Sequence, residues 1–338
     1  MIQRILVVGL GSIGQRHLRL ARELFPLADI RVLRHQPCLS MPEFADGCFS
    51  DLQEAVGFEP QVAVIANPAP YHLISAQALA GIGTHLLIEK PLSISTEGVP
   101  HLMQTCLEQG ACLQVGYNLR FLPSLQRFRA LLNEYEIGRL LSVRCEVGQF
   151  LPGWRPDADY RQGVSARREL GGGALLELSH ELDYLSWIFG DVESVKATLS
   201  RQSDMQIDVE DTVHLIMSFV PDAEGHRLIA AANIDFIRHD TTRVCTAIGE
   251  QGSLRWNGLT GMVEKFEAGG GQWQEVFHHQ HQRDDSYLAE WKHFLECIRE
   301  RKSPLIGGKD GLAVLQIVDA ARRSSESGKS VSVAREGI

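Results

Sequence analysis

Short apolar, β-branched runs fall at residues 5–8, 30–33, 62–66, 85–88 and 112–115. Between them lie stretches with helical apolar spacing, at 13–24, 71–80 and 96–108. Strand–helix alternation at this interval predicts right-handed parallel crossovers and a doubly wound sheet. The rhythm changes near residue 120. A predicted helix at 124–132 leads to a strand at 140–147, then to an irregular stretch at 149–170 rich in Arg, Asp, Gly and aromatic residues. A helix over 174–188 follows and stops at Gly190, a fitting glycine terminator. Successive strand-like runs then occupy 195–200, 212–220, 226–237, 243–248, 253–256 and 262–267, and two helices, 286–299 and 310–325, close the chain. Consecutive strands joined by turns read as a largely antiparallel sheet. The expected architecture is an α/β Rossmann domain over residues 1–121. An α+β domain with a large, mostly antiparallel open sheet follows over 122–338.

The bulk composition narrows the function. The 338 residues carry a formal net charge of -9, with 44% hydrophobic and 22% charged residues. Two hydrophobic cores are the default at this length. An acidic chain makes a poor non-specific partner for nucleic acid or anionic membrane. Seven scattered cysteines without a Cys-x-x-Cys pair argue against a disulfide framework and against a zinc site, so no metal is expected. No charged leader precedes the first strand and no apolar run spans a membrane, so a cytoplasmic protein is expected. One face of an open sheet needs a cover beyond its own helices. A homodimer or homotetramer through the C-terminal sheet is expected.

Gly9-Leu10-Gly11-Ser12-Ile13-Gly14 follows the first strand directly and opens the first helix. In that context Gly-x-Gly-x-x-Gly is a dinucleotide fingerprint. Gly9 makes the turn, Gly11 admits the pyrophosphate, and Gly14 lets helix and strand pack closely. The second strand ends in Arg34 and His35, where NAD enzymes usually place an acid for the ribose. Arg attracts a 2′-phosphate that a carboxylate would repel, so NADP(H) is favoured over NAD(H). Glu89-Lys90-Pro91 follows the fourth predicted strand, at the carboxyl end where ligands of such sheets bind.

Together these features resemble the glucose–fructose oxidoreductase, inositol dehydrogenase and rhizopine-catabolism (Gfo/Idh/MocA) family. The matching residues are the glycine motif, Asn67-Pro68 with His72, Glu89-Lys90-Pro91, Gly116-Tyr117-Asn118 with Arg120-Phe121, and Gly171-Gly172-Gly173 leading to His180 and Asp183. The resemblance implies hydride transfer between a nicotinamide and a sugar-type hydroxyl or carbonyl. It places Lys90 at the reacting oxygen and makes His180 the acid/base. It adds Asn67, Pro68, His72, Glu89 and Lys90 to the cofactor side, with Ser12 and Ile13. It adds Asn118, Arg120, Glu177 and Asp183 to the substrate side. The family commonly has Asp four residues before the His; here that position is Leu176, and Glu177 is the nearby acid.

The irregular stretch also carries Arg155, Tyr160, Arg161, Arg167 and Arg168. Its arginines fit an anionic substrate such as a nucleotide-linked sugar or sugar acid. Alternatively they pair with Asp157, Asp159 and Glu169 as a solvated loop. Rival functions within the resemblance are reduction of a non-sugar carbonyl or imine, and a non-catalytic dinucleotide-binding regulator.

Overall fold

The computed structural model describes residues 2–35 and 40–334. The chain forms two compact units, residues 1–117 with 288–315 and residues 118–287 with 316–338.

The first unit contains β1 (Arg4–Val8), α1 (Ser12–Leu24), β2 (Asp29–Leu33), β3 (Gly47–Phe49), α2 (Leu52–Gly57), β4 (Val62–Ile65), α3 (His72–Ala80), β5 (His85–Glu89), α4 (Val99–Glu108) and β6 (Leu113–Gly116). The six strands are all parallel, in the order β3-β2-β1-β4-β5-β6. Helices on both faces explain why the central strands are continuous apolar runs: every residue of β4 is buried, and so are the last four of β1. Residues 288–315 close the β6 edge. Val115 N–H donates to Ile306 O at 3.0 Å, and Gly311 packs on Leu92 and Val115.

The second unit opens with α5 (Pro123–Asn133), which carries proline in its first turn. Then come β7 (Leu140–Gly148), α6 (Ala174–Glu177), α7 (His180–Phe189), β8 (Val192–Ser200), β9 (Thr212–Phe219), β10 (Ile229–Asp235), β11 (Thr242–Gly249), β12 (Gly252–Asn257), β13 (Met262–Glu267) and β14 (Gln274–His278). Helices α8 (Asp285–Glu300) and α9 (Gly308–Ser327) precede a last short strand, β15 (Val331–Ser332). Nine strands form one sheet in the order β14-β13-β12-β11-β7-β10-β9-β8-β15. Every neighbouring pair is antiparallel except β7–β10. One face is covered: Tyr184 on α7 meets Cys145 on β7 at 3.0 Å, and Ser324 on α9 accepts from Ala197 N on β8. The other face leaves Ile216 46% and Ile229 45% exposed, beside His214, Asn233 and Arg144.

Three sequence expectations need correction. The single helix over 174–188 is two helices, because Leu178 has ψ 30 and interrupts the α conformation before Ser179. The second strand of the first sheet is followed by β3 and α2, too short to show periodicity. Cys48 on β3 is disulfide-bonded, where no disulfide framework was expected, while Cys106, Cys112, Cys145, Cys245 and Cys297 are free. Gly190 does terminate α7, at φ +96.

Candidate active site

In the first unit the strand order reverses at β1, flanked by β2 and β4. The chains leaving β1 and β4 diverge there and open a crevice at the carboxyl ends of the strands. Gly9 has φ +92, and a Cβ on it would stand 2.6 Å from Asn67 N. A Cβ on Gly14 would collide with Gly9 O. Both glycines are therefore demanded by packing within the protein. Gly11 differs, because nothing lies within 4 Å of where its Cβ would be. The space above it belongs to no part of the described chain. Helix α1 starts beside it, with no acid in its first turn and no side-chain cap. The amide groups of that turn, with exposed Ser12 and half-buried Ile13, suit a pyrophosphate.

Arg34 and His35 stand just past β2, half-buried and exposed respectively. Arg34 N–H donates to Phe49 O at 3.0 Å, and among the described residues no carboxylate pairs with its guanidinium. Residues 36–39 lie outside the described part of the chain.

The loops after β4 and β5 are tied to each other by His72. Its Nε2 lies 2.7 Å from Asn67 O and its Nδ1 3.0 Å from Pro91 O. The ring is 2% exposed, and burial pushes its pKa down against the opposing pull of these carbonyls. His72 thus acts as a strut between Asn67-Pro68 and Lys90-Pro91. Glu89 is buried at the end of β5. Its Oε1 lies 2.7 Å from His17 Nε2, and its Oε2 accepts from Lys90 N–H at 3.2 Å. Gly116 leaves room for it, since a Cβ there would meet the Glu89 carboxyl at 3.2 Å. The Lys90 side chain is half-buried on this anchored turn.

In the second unit His180 is the first residue of α7, 9% exposed, with Ser179 at the N-cap. Arg120 and Asp183 pair with each other in bidentate fashion, at 3.0 Å (Nε to Oδ2) and 2.7 Å (Nη2 to Oδ1). Their side chains are 4% and 0% exposed, and Arg120 also lies 5.4 Å over the Trp187 ring. Glu177 ends α6 and accepts from Ser165 Oγ at 2.8 Å; the break at Leu178 removes the continuous helix face once expected for it and His180. Asn118 is buried and donates to Ser286 Oγ at 2.9 Å. The glycine run before α6 serves the chain itself. Gly173, at φ +110, faces the Glu210 carboxyl, and a Cβ on Gly172 would collide with Val164 O. Glu210 then accepts from Leu175 N at the start of α6.

The arginine-rich loop is largely self-paired. Arg161 binds Asp159 at 2.7 Å, which raises the Arg161 pKa, and Arg167 donates to Arg161 O at 2.7 Å. Arg168 donates to Asp208 O at 3.1 Å. The Tyr160 hydroxyl accepts from Gln206 N–H at 3.3 Å, and Arg155 is exposed.

The buried Arg120–Asp183 pair yields a stability prediction. Arg120→Met removes the cation paired with the buried Asp183 carboxylate and is expected to cost about 3–5 kcal/mol. Denaturant unfolding measures it. Adding Asp183→Leu should recover most of the loss, because the buried charge is then gone.

Sequence reasoning gave no role to His17 or Trp291, and Glu290 entered it only within the segment Tyr287-Leu288-Ala289-Glu290, which resembles the family's ending. His17 lies on the apolar face of α1, where it reads as a core residue, and nothing local marks it as the partner of Glu89.

The family model described as "Oxidoreductase family, NAD-binding Rossmann fold" matches residues 3–117. The one described as "Oxidoreductase family, C-terminal alpha/beta domain" matches residues 129–333. An uncharacterised oxidoreductase of Synechocystis is 32% identical over 154 residues, 45% of this chain and 41% of that protein. Myo-inositol 2-dehydrogenase of Thermotoga maritima is 25% identical over 98% of both chains. D-xylose 1-dehydrogenase [NADP(+)] of Haloarcula marismortui is 23% identical over 90% of this chain and 81% of that one. The solved structure of levoglucosan dehydrogenase in complex with NADH superposes with a TM-score of 0.85 at 22% identity, covering 99% of this chain and 100% of that one. Among the described residues no helix is long and apolar enough to cross a membrane.

Proposed function

We propose, from the premise that this chain belongs to the Gfo/Idh/MocA oxidoreductase family, that it interconverts a hydroxyl and a carbonyl of a sugar-type substrate using NADP(H) in preference to NAD(H). The observation that carries the reading is the crevice in the first unit, where Gly11 faces open space beside α1 and Lys90 stands on an anchored turn at the end of β5. Gly9, Gly11, Ser12, Ile13 and Gly14 would hold the pyrophosphate, and Arg34 with His35 the adenosine end. Asn67, Pro68, Glu89 and Lys90 would border the nicotinamide, with His72 holding their two loops in register. The bound nicotinamide supplies or accepts the hydride.

In this reading Lys90 donates a hydrogen bond to the reacting oxygen and stabilises negative charge as it develops there. His180 takes the hydroxyl proton during oxidation and returns it during reduction, work suited to a side chain that titrates near neutrality. Asn118, Arg155, Tyr160, Arg161, Glu177, Arg120 and Asp183 shape the substrate side. Arg120 and Asp183 contribute through their mutual pair, and Arg155 and Arg161 favour an anionic or nucleotide-linked sugar. The exposed face around Ile216 and Ile229 fits a homodimer or homotetramer contact.

A spectrophotometric screen of sugars, sugar acids and nucleotide sugars with both cofactors tests the reading; no turnover with any of them would overturn it. The cofactor preference has its own test. Arg34→Asp is expected to reverse the order of NADP(H) and NAD(H) affinity, because it replaces attraction for a 2′-phosphate with repulsion. Titration of the unaltered protein showing equal or tighter NAD(H) binding refutes the preference.

A further inference from the structure

Beneath the Glu89–Lys90 turn lies a buried cluster from three parts of the first unit. His17 on α1, Glu89 at the end of β5 and Glu290 on α8 bring one ring nitrogen and two carboxylate oxygens within 4.8 Å of one another. Glu89 and Glu290 are 6% and 0% exposed, and His17 is 0% exposed. Glu89 has two donors, His17 Nε2 and Lys90 N–H. Among the described residues Glu290 has none, because neither of its carboxyl oxygens has a hydrogen-bond partner. The nearest charged group acting on it is Glu89 itself, and burial and that neighbour both push its pKa well up. Gln114 on β6 donates to the backbone carbonyl of Glu290, not to its carboxyl.

A set of one histidine and two carboxylates is also a metal-ligand set, so the ring proton decides between two occupants. Trp291 Nε1 approaches His17 Nδ1 at 3.0 Å. An indole nitrogen can only donate. Nδ1 is therefore the acceptor, and the proton of the neutral ring sits on Nε2, the atom aimed at Glu89 Oε1. A cation at Nε2 would have to displace that proton while Nδ1 stays engaged, leaving an imidazolate. A proton on Glu290 needs no such step.

We infer that Glu290 is a neutral carboxylic acid in the folded protein, which leaves the negative charge of the pair on Glu89, the carboxylate that accepts from Lys90 N–H and anchors the Glu89–Lys90 turn. Two adjacent buried carboxylates with no cation between them do not both ionise. The donors sort them: the carboxyl with two N–H partners keeps the charge, and the one with none keeps the proton. Glu290 is then a positioning residue, setting the charge state of the group that anchors the Lys90 backbone. The inference does not depend on the substrate or on the proposed reaction.

The sign of the pH dependence follows from linkage. A carboxyl whose pKa is raised on folding binds its proton in the folded state while the unfolded chain has lost it. Its presence weakens folding as pH rises above the ordinary carboxylate range. Glu290→Gln mimics the neutral acid and cannot titrate. Its unfolding equilibrium should match that of the unaltered protein near pH 5. It should then become more favourable to the folded state by about tenfold per pH unit as pH rises. Infrared spectra of the unaltered protein at neutral pH should contain the C=O stretch of a protonated buried carboxyl. That band needs no variant to be seen, and Glu290→Gln should remove it. The variant should keep its cofactor affinity at neutral pH. A stability gap that stays constant or reverses with pH, or the absence of the band, overturns the inference. So does a melting temperature of the unaltered protein that falls with EDTA and recovers with Zn²⁺ or Mg²⁺, which would make the cluster a metal site.

Discussion

Lys90→Ala is expected to lower turnover by about 10²–10⁴-fold, the usual worth of a positioned proton-transfer or polarising group. Dinucleotide affinity should barely change. The reason is the division of labour within the first unit. In the proposed arrangement the pyrophosphate donors belong to the glycine turn and the start of α1, whereas Lys90 stands at the end of β5 on a turn held by its own backbone. Lys90 N–H is bound by Glu89 Oε2, and Pro91 O faces His72 Nδ1. Removing the side chain leaves those backbone contacts intact. Fluorescence titration of the cofactor, set against steady-state rates, separates the two quantities. Near-normal turnover would remove Lys90 from the chemistry, and lost cofactor binding would place it on the dinucleotide instead.

His180→Asn is the second large effect, again expected at about 10²–10⁴-fold in turnover. The substitution preserves a polar side chain of similar reach at the first position of α7. The melting temperature should therefore stay close to that of the unaltered protein. The neutral limb of the pH–rate profile should flatten, because asparagine does not titrate. A histidine that only fills space predicts the reverse pattern, with a lower melting temperature and unchanged turnover per folded molecule. Asp183 pairs with Arg120, and Glu177 accepts from Ser165 Oγ. Their substitution should thus act first through stability and loop order.

Much of the first unit was legible because its signals are local. A continuous apolar strand, a glycine turn and an amphipathic helix occur within residues 4–24, and each is dictated by neighbours in sequence. The same holds for Glu89-Lys90-Pro91, whose position at a strand end follows from the run before it. The second sheet was legible as a mostly antiparallel array for the same reason, its strands alternating buried and exposed positions. The parallel β7–β10 pairing was not, since the two strands are far apart in the chain and nothing in either names the other.

By itself, then, the sequence determined the two-part α/β and α+β architecture, the dinucleotide turn, and the candidate roles of Lys90 and His180. The architecture and the turn rest on hydrophobic periodicity and on backbone demands that act over a few residues, and the roles of Lys90 and His180 rest on the family resemblance. Only the tertiary structure decided which charged groups answer one another. Arg120 and Asp183 are 63 residues apart, and each looked free to meet a substrate until folding buried them together. His17 and Trp291 are 274 residues apart, and their 3.0 Å contact is what assigns the His17 proton to the nitrogen that faces Glu89. Burial makes such pairings decisive, because a charge withdrawn from water must find a partner or give up its ionisation. That partner is chosen by proximity in space, which no local pattern records.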